Sequence, residues 1–179
     1  MNFRAARESD AEGLAMLHAE SWRRTYRGMM TDEFLDGDVL SNRLAAWRDR
    51  MRGNKTGQFV FVAEQAAMLA GFICVFADED VSWGSYIDNL HVSWAYAHQG
   101  IGTALMSRAA EWLVETHPHS RVYLWVMEAN GMARRFYERL GAHNAGTSIK
   151  QDPGGGAAPN CRYVWQHPGA LLRACQESA

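Results

Sequence analysis

The sequence has few cysteines, and they form no pattern. Only three occur among 179 residues, at positions 74, 161 and 175. An odd number of widely separated cysteines argues against a disulfide framework and favours buried or surface thiols in a reducing compartment. The seven histidines show no spacing typical of a metal site, so we expect no bound metal.

Strong charge and long apolar runs are also lacking. The formal net charge is -2, which gives no reason to expect a nucleic acid or an anionic membrane as a partner. The longest apolar runs are far too short to span a bilayer, and the N-terminal residues do not follow a signal-peptide pattern. We therefore expect a cytoplasmic protein.

Apolar residues, in contrast, are sufficient for a core. They make up 47% of the chain, and no linker or repeat divides it, so residues 1–167 are predicted to form one domain. Residues 168–179 are predicted to be a tail, either a short helix or disordered. The hydrophobic pattern predicts a mixed α/β sheet with helices on both faces. Its predicted strands lie at residues 3–6, 59–64, 70–76, 85–92, 122–127, 145–149 and 161–165.

The most informative segment is residues 86–113, where an apolar strand leads through a glycine turn into an amphipathic helix. Gly100 and Gly102 keep the turn free of side chains, and Leu105 and Ala109 then recur at helical spacing. Backbone N–H groups at the start of a helix have no intrahelical partner, and the helix dipole places roughly half a positive charge there. The segment therefore predicts a phosphate-binding turn.

Other phosphate-binding loops fit this turn less well. A dinucleotide fingerprint requires a third glycine three residues after Gly102, where this chain has Leu105. A P-loop requires Gly-Lys-Ser/Thr, whereas Gly102 is followed by Thr103 and Ala104. Two glycines one residue apart also serve turns that bind no ligand, so the turn alone leaves that alternative open.

A second informative segment, residues 123–142, is typical of a buried strand followed by a short helix. Asn130 suits the N-cap position, and Gly141 suits the position just after the C-terminus. Met132, Phe136 and Leu140 follow one helical stripe, which is predicted to face the core. Another stripe pairs the amide of Asn130 with the phenol of Tyr137.

Together these segments resemble the GNAT superfamily of N-acetyltransferases, whose glycine-turn motif is Arg/Gln-x-x-Gly-x-Gly/Ala and whose later motif is Asn-x-x-Ala-x-x-aromatic/aliphatic-Tyr-Glu-x-x-Gly. The glycine-turn motif lacks its leading side chain, because Ala97 stands where the family has Arg or Gln. The resemblance covers nearly the whole chain, from residue 3 to about residue 165. The later motif is complete, as Asn130, Ala133, Phe136, Tyr137, Glu138 and Gly141.

The resemblance implies an α/β (α+β) fold with a mixed, mostly antiparallel sheet of about seven strands, in which a splayed parallel strand pair holds acetyl-coenzyme A. It implies that the glycine turn binds the pyrophosphate, that the preceding strand pairs with the pantetheine arm, and that the later helix approaches the sulfur. With Ala97, one pyrophosphate contact is expected to be missing. Carried over by position, the cofactor-binding residues are Leu90, His91, Val92, His98, Gln99, Gly100, Ile101, Gly102, Thr103, Asn130, Ala133, Phe136 and Tyr137.

Acetyl transfer to an amine also needs proton transfers. A lysine-like amine is only about one part in a thousand neutral at pH 7, so a proton acceptor or a desolvated pocket is needed. Asp88 is the candidate base, with proton removal through water as the alternative. Tyr137 is the candidate general acid for the leaving thiolate, and simple packing is its alternative. A backbone N–H within residues 90–92 suits the developing oxyanion.

The N-terminal third is expected to form the acceptor side. Ser9 and Glu12 match a capping box, which predicts a helix from about Asp10. Trp22 and Tyr26 share one face of it, and they belong to a Trp-x-x-x-Tyr-Arg-Gly signature that resembles a subgroup of GNAT sequences. The two aromatic residues either contact the acceptor or belong to the core.

Further polar residues are candidates for the acceptor side. Asn89 follows the candidate base and is predicted to contact the acceptor. Glu33, Asp36 and Asp38 either attract a cationic amine or form a solvated loop.

These observations predict an enzyme that transfers an acetyl group from acetyl-coenzyme A to a primary amine of a small molecule, amino acid or peptide by direct attack. One alternative is a non-catalytic module that binds or senses acyl-coenzyme A, and another is an oligomerisation scaffold that binds no cofactor. The resemblance also implies that a homodimer is a common assembly state.

Overall fold

The structure is a computed structural model that describes residues 1–53 and 56–178. Short 3₁₀ turns at Glu8–Asp10 and Trp94–Tyr96 precede α1 and α4. In chain order, the strands and α-helices of the described residues are β1 (Asn2–Ala5), α1 (Ala11–Thr25), α2 (Asp32–Asp36), α3 (Val39–Arg52), β2 (Gln58–Gln65), β3 (Met68–Asp80), β4 (Gly84–Val92), α4 (Ile101–Thr116), β5 (Val122–Met127), α5 (Gly131–Arg139), β6 (His143–Gln151), β7 (Ala157–Trp165) and α6 (Pro168–Glu177).

The strands form one seven-stranded sheet in the order β1-β2-β3-β4-β5-β7-β6. Neighbouring strands are antiparallel except for β4 and β5, which are parallel. This confirms the predicted mixed, mostly antiparallel sheet with one parallel pair. All seven predicted strands are present, with ends that differ from the predicted ones by at most four residues.

The parallel strands β4 and β5 pair at one end only. Their register ends where Ile87 lies opposite Leu124, and beyond that point the strands diverge. At the same place the register of β4 with β3 shifts, and Asp88 has no opposite residue. Because a bulge bends a strand and increases its twist, it directs the second half of β4 away from β5. The sheet therefore splits at its centre.

Helices α4 and α6 cover one face of the sheet. Leu105 and Leu113 of α4 are buried against Ile73, and Leu171 and Cys175 of α6 join the same apolar cluster. Of the two alternatives for the C-terminal segment, the structure has the helix. The helix begins at Pro168, which suits a first helical position because its missing N–H would have no intrahelical partner there.

Helices α1 and α3 cover the opposite face. Leu14 of α1 and Trp47 of α3 pack on Phe72 and Cys74 of β3, and all four are buried. Alternate residues of β3 thus supply the two cores, because successive side chains of a strand point to opposite faces. The same alternation on β4 decides which of its side chains meet α1 and which meet α4.

The predicted capping box at the start of α1 is wrong. The Asp10 carboxylate accepts the backbone N–H of Arg7 at 2.7 Å, which closes a 3₁₀ turn before the helix. Glu12 instead forms an ion pair with Arg48 of α3 at 2.7 Å. A local contact of Asp10 and a distant partner of Glu12 thus stand in place of the pairing of Ser9 with Glu12.

The predicted core stripe of α5 is also wrong at Met132, whose side chain is 56% exposed. Tyr137 is the buried residue, at 9% exposure, and its ring contacts those of Tyr163 and Trp165. The short turn after β5, in which the Asn130 N–H donates to Met127 O at 2.9 Å, fixes how the helix meets the sheet. Leu140 of the predicted stripe is buried and Phe136 packs against the core, so helical spacing defines the stripes but this attachment decides how deeply each residue is buried.

Within the described ranges, no helix has the length and apolarity needed to cross a bilayer. In the same ranges, no group of three or more His, Cys, Asp or Glu side chains is arranged to hold a metal ion. The three cysteines are free and buried.

Candidate active site

A cavity of about 1040 Å³ opens where β4 and β5 diverge. Its walls come from the second half of β4, the end of β5, the first turn of α4, helix α5 and one side of α1. All the sequence-predicted cofactor residues line it except Gln99, whose side chain donates to Ala95 O at 3.5 Å. Two segments that are distant in sequence, the glycine turn and α5, thus share one cavity.

One end of the cavity is the glycine turn. Gly100 has a φ of +76°, a conformation that suits glycine, and it is the N-cap of α4. The Ala104 N–H donates to Gly100 O at 2.9 Å, so the N–H groups of Ile101, Gly102 and Thr103 precede the first α-helical hydrogen bond. A Cβ on Gly102 would lie 3.4 Å from Phe136, so the turn packs closely on α5.

The middle of the cavity follows β4. On one edge β4 pairs with β3 as far as Val92, whereas pairing with β5 on the other edge stops at Ile87. The β5-facing edge of residues 90–92 therefore lies along the cavity without a neighbouring strand in the described part of the chain. An extended polar chain can pair with backbone groups on such an edge.

Helix α5 supplies an amide and a phenol to the cavity. The Asn130 Oδ1 accepts the Ala133 N–H at 3.1 Å, which confirms the predicted N-cap. Gly141, with a φ of +79°, follows the last turn as predicted. Burial raises the pKa of Tyr137 well above its usual value of 10, and the nearby Tyr26 phenol raises it further. Tyr137 thus keeps its proton at neutral pH.

On the α1 side, the cavity is lined by uncharged polar groups and by the exposed pair of Glu20 and Arg24. Tyr26 and Asn89 line it, and burial raises the pKa of Tyr26 to about 12. His91 of β4 points toward α1, where its Nδ1 and the Ser21 Oγ lie 2.8 Å apart. The ring of His18 lies behind His91, with their centroids 4.4 Å apart.

Asp88 also lines the cavity, but its carboxylate already has a partner. An oxygen of Asp88 lies 2.8 Å from a guanidinium nitrogen of Arg50 in α3, and the side-chain amide of Asn89 donates to the same oxygen. The Arg50 guanidinium also packs over the ring of Trp47 at 4.9 Å, so α3 fixes its position.

Trp22 does not line the cavity in the described structure. It is buried in a cluster with Phe34 and Leu35, and its ring lies 5.7 Å from that of Tyr26. Of the two alternatives for these aromatic residues, the core position therefore applies to Trp22, whereas Tyr26 reaches the cavity.

The acidic residues of the α2 region lie away from the cavity. Glu33, Asp36 and Asp38 are absent from its lining, and Asp36 forms an ion pair with Arg27. The alternative of a solvated cluster fits these residues, which are exposed at the surface.

Sequence reasoning missed Ser21, His18 and Arg50. Ser21 follows Leu17 by one helical turn, and both line the cavity, so the spacing of α1 contained a signal for it. No comparable signal existed for His18 and Arg50, because their partners, His91 and Asp88, lie tens of residues away in the sequence.

The paired histidines predict a pH-dependent stability. Burial, and then the charge of Arg43, lowers the pKa of His91 to about 3. Burial lowers the pKa of His18 well below 6.5, and His91, Arg43 and Arg50 add to the shift. Below pH 6.5 the unfolded chain binds protons that the folded chain does not, so the free energy of unfolding decreases as the pH is lowered.

For His91 we expect the free energy of unfolding to fall by about 2 kcal/mol between pH 6.5 and pH 5, and His18 changes it in the same direction. Urea unfolding at the two pH values measures this loss. His91→Gln has no titrating group at this position and should lose less stability over that interval than the wild type. Equal losses in the two proteins would show that His91 is protonated in the folded state.

Comparison with known proteins identifies the class of this fold and site. Residues 16–142 match the profile of the Acetyltransferase (GNAT) family. That match covers more than half of the chain, and the chain belongs to the GNAT family. The predicted enzyme class, an acyltransferase that depends on acetyl-coenzyme A, is thereby confirmed.

The chain is similar to individual proteins over most of its length. It is 28% identical to a probable N-acetyltransferase of Mycobacterium tuberculosis, over 86% of this chain and 86% of that protein. The fold matches PaiA N-acetyltransferase of Thermoplasma acidophilum, solved with coenzyme A, with a TM-score of 0.69 and 19% identity over 93% of this chain and 98% of the other. It also matches yncA of Salmonella typhimurium, solved with its cofactor acetyl-CoA, with a TM-score of 0.67 and 18% identity over 93% of each chain.

The residues of this chain fit acetyl-coenzyme A. The glycine turn offers N–H groups to phosphates, the open edge of β4 suits the amide-bearing pantetheine arm, and the cavity joins the two. Ala97 lines the cavity beside the turn and contributes no side-chain donor. The anion-binding capacity of the turn therefore depends on its backbone.

Proposed function

We propose that this protein is an N-acetyltransferase that acts on a primary amine of a small molecule, amino acid or peptide by direct attack. The observation that carries the proposal is one continuous cavity with an anion-binding turn at one end and a buried, protonated Tyr137 beside the split in the sheet. Acetyl-coenzyme A supplies a thioester, whose acetyl carbon the amine attacks.

The cofactor-binding residues contact different parts of acetyl-coenzyme A, according to their position along the cavity. The N–H groups of residues 101–103 bind the pyrophosphate, and the open edge of β4 orients the pantetheine arm. Gly102 and Ala133 leave room for close approach, because they carry no side chain or only a methyl group. Phe136 packs against the glycine turn and holds α5 beside it.

Tyr137 holds the proton that the leaving sulfur takes. A thiolate with an ordinary pKa near 8.5 accepts a proton from a phenol only if the phenol lies within hydrogen-bond reach, and burial keeps that phenol protonated. Asn130 caps α5 and thereby fixes the helix that carries the phenol. A backbone N–H within residues 90–92 stabilises the oxyanion.

The acceptor enters from the α1 side. Tyr26 and Asn89 contact it, and Trp22 positions Tyr26 through the contact of their rings. Asp88 supplies the carboxylate of β4 that lines the cavity, but this carboxylate forms an ion pair with Arg50. We therefore propose that a proton leaves the amine through water, with Asp88 orienting that water.

Membership of the subgroup with the Trp-x-x-x-Tyr-Arg-Gly signature, the homodimer and the cytoplasmic location stay predictions. So does the division of the chain into a domain at residues 1–167 and a tail at residues 168–179. A non-catalytic module that binds acyl-coenzyme A is the second candidate, and Ala97 together with the paired Asp88 favours it.

Calorimetric titration with acetyl-coenzyme A, followed on the same sample by a thiol-release assay with a panel of amines, tests the proposal. We expect saturable binding and thiol release that depends on an added amine. Binding without release from any amine would favour the non-catalytic module. No binding at all would contradict both functions.

A further inference from the structure

The carboxylates that line the cavity are both paired with guanidinium groups. Glu20 of α1 lies 3.6 Å from Arg24, and Asp88 of β4 lies 2.8 Å from Arg50. No other aspartate or glutamate of the described residues lines the cavity. A cationic acceptor therefore meets no carboxylate that lacks a counter-charge.

A third guanidinium lies near the same end of the cavity. Arg43 of α3 is half-buried and packs over the Trp22 ring at 4.4 Å. It donates to the side-chain oxygen of Asn42, and within residues 1–53 and 56–178 it forms no ion pair. Its positive charge contributes to the lowered pKa of both His18 and His91. Two carboxylates thus face three guanidinium groups, which disfavours an ammonium ion.

Apart from the charged Asp88, Glu20 and Arg24, five polar lining residues that we place near the acceptor are uncharged. They are Ser21, Tyr26, Asn89, His91 and Tyr137. His18 lies behind His91, and its hydrogen bond with Trp47 determines its tautomer. The Trp47 Nε1–H donates to His18 Nδ1 at 3.0 Å, so the neutral ring carries its proton on Nε2.

Resting on the proposed function, we propose that the acceptor is an amine that is uncharged at neutral pH, an arylamine or another weakly basic amine, rather than a polycation. An arylamine needs no carboxylate to hold it and no strong base to deprotonate it. Its apolar ring can pack against the aromatic rings of the lining, among them those of Tyr26 and Trp125.

The proton balance of the reaction agrees with this acceptor class. The nitrogen lone pair forms the bond to the acetyl carbon, and the carbon–sulfur bond breaks. The nitrogen loses one proton, the sulfur gains one from Tyr137, and Tyr137 recovers one through solvent. A neutral amine therefore needs no net proton release, whereas an ammonium ion must first lose a proton, and Asp88 is held by Arg50.

Aniline, benzylamine and spermidine, each with acetyl-coenzyme A at neutral pH, test the proposal on the wild-type protein. Aniline and benzylamine differ by one methylene group, but only benzylamine is protonated. We expect kcat/KM for aniline to exceed that for either cationic amine by about tenfold or more, a difference of about 1.4 kcal/mol. A higher value for benzylamine or spermidine would overturn the proposal.

A pair of variants isolates the role of charge. Glu and Gln have the same shape, and Thr25 lines the cavity while only half-buried, so Thr25→Glu and Thr25→Gln differ by a carboxylate on the α1 side. We expect the ratio of kcat/KM for benzylamine to that for aniline to be about tenfold higher in Thr25→Glu than in Thr25→Gln. An equal ratio in two folded variants would overturn the proposal, and the wild-type panel decides the matter if either variant fails to fold.

The outcomes separate this inference from the proposed function. Thiol release with cationic amines as the preferred acceptors overturns the inference alone and leaves the acetyltransferase intact. Thiol release from no amine, despite binding of acetyl-coenzyme A, overturns both.

Discussion

Replacing Tyr137 by Phe is expected to lower kcat about 100-fold, while the affinity for acetyl-coenzyme A stays close to that of the wild type. The substitution removes one hydroxyl and keeps the ring that packs against Trp165. A general acid acts only as the sulfur leaves, so its loss lowers the rate of the chemical step rather than ground-state binding. Steady-state kinetics and calorimetric titration measure the two quantities separately.

Tyr123→Phe is the matched control, because Tyr123 is a buried phenol of β5 outside the cavity lining. It should leave kcat nearly unchanged. Because burial holds the pKa of Tyr137 well above 10, the wild-type rate should show no loss below pH 10 from deprotonation of this phenol. Unchanged turnover of Tyr137→Phe at saturating substrate would exclude the acid role.

Replacing Gly84 by Ala is expected to lower the free energy of unfolding by about 3 kcal/mol. Gly84 begins β4 with a φ of +82°, and a Cβ there would lie 2.4 Å from Arg121 O. That carbonyl also accepts the Ser85 N–H at 2.8 Å. The clash therefore falls at the start of β4, beside the residue that precedes β5. Backbone atoms have to move to relieve it, which disturbs the parallel pair on which the cavity depends.

Gly28→Ala separates the close contact from the backbone strain. Gly28 has a φ of +74°, but no atom lies within 4 Å of the position that a Cβ would take. In this control, the free energy of unfolding should fall by only about 1 kcal/mol, which is the cost of the left-handed conformation for alanine. Urea unfolding measures both variants, and equal losses would show that the contact with Arg121 relaxes at no cost.

The local elements of the site were predictable from the sequence. The turn at Gly100, the cap at Asn130 and the stop at Gly141 all have the predicted conformations. Each depends on interactions within a few residues, namely the freedom of glycine at positive φ and the reach of a short side chain to the next turn. The order of strand, turn and helix follows from the same local rules.

Side-chain roles that depend on a distant partner were not predictable. The pairing of Asp88 with Arg50 and that of His91 with Ser21 each join segments that meet only after α1 and α3 pack on the sheet. Spacing within a helix marks which residues share a stripe. It does not decide which residues of a stripe are buried, since Met132 is exposed and Leu140 of the same stripe is buried.

The sequence by itself determined the mixed fold, the glycine turn before α4 and the phenol of α5, because backbone preferences and hydrophobic periodicity act over short distances. Only the tertiary structure decided which charged and polar groups line the α1 side of the cavity. There, the split beyond Ile87 brings α5 and α1 to opposite sides of one cavity. Asp88 and Arg50, which are far apart in the chain, neutralise one another beside it, because burial makes an unpaired charge costly and packing determines which partners lie within reach.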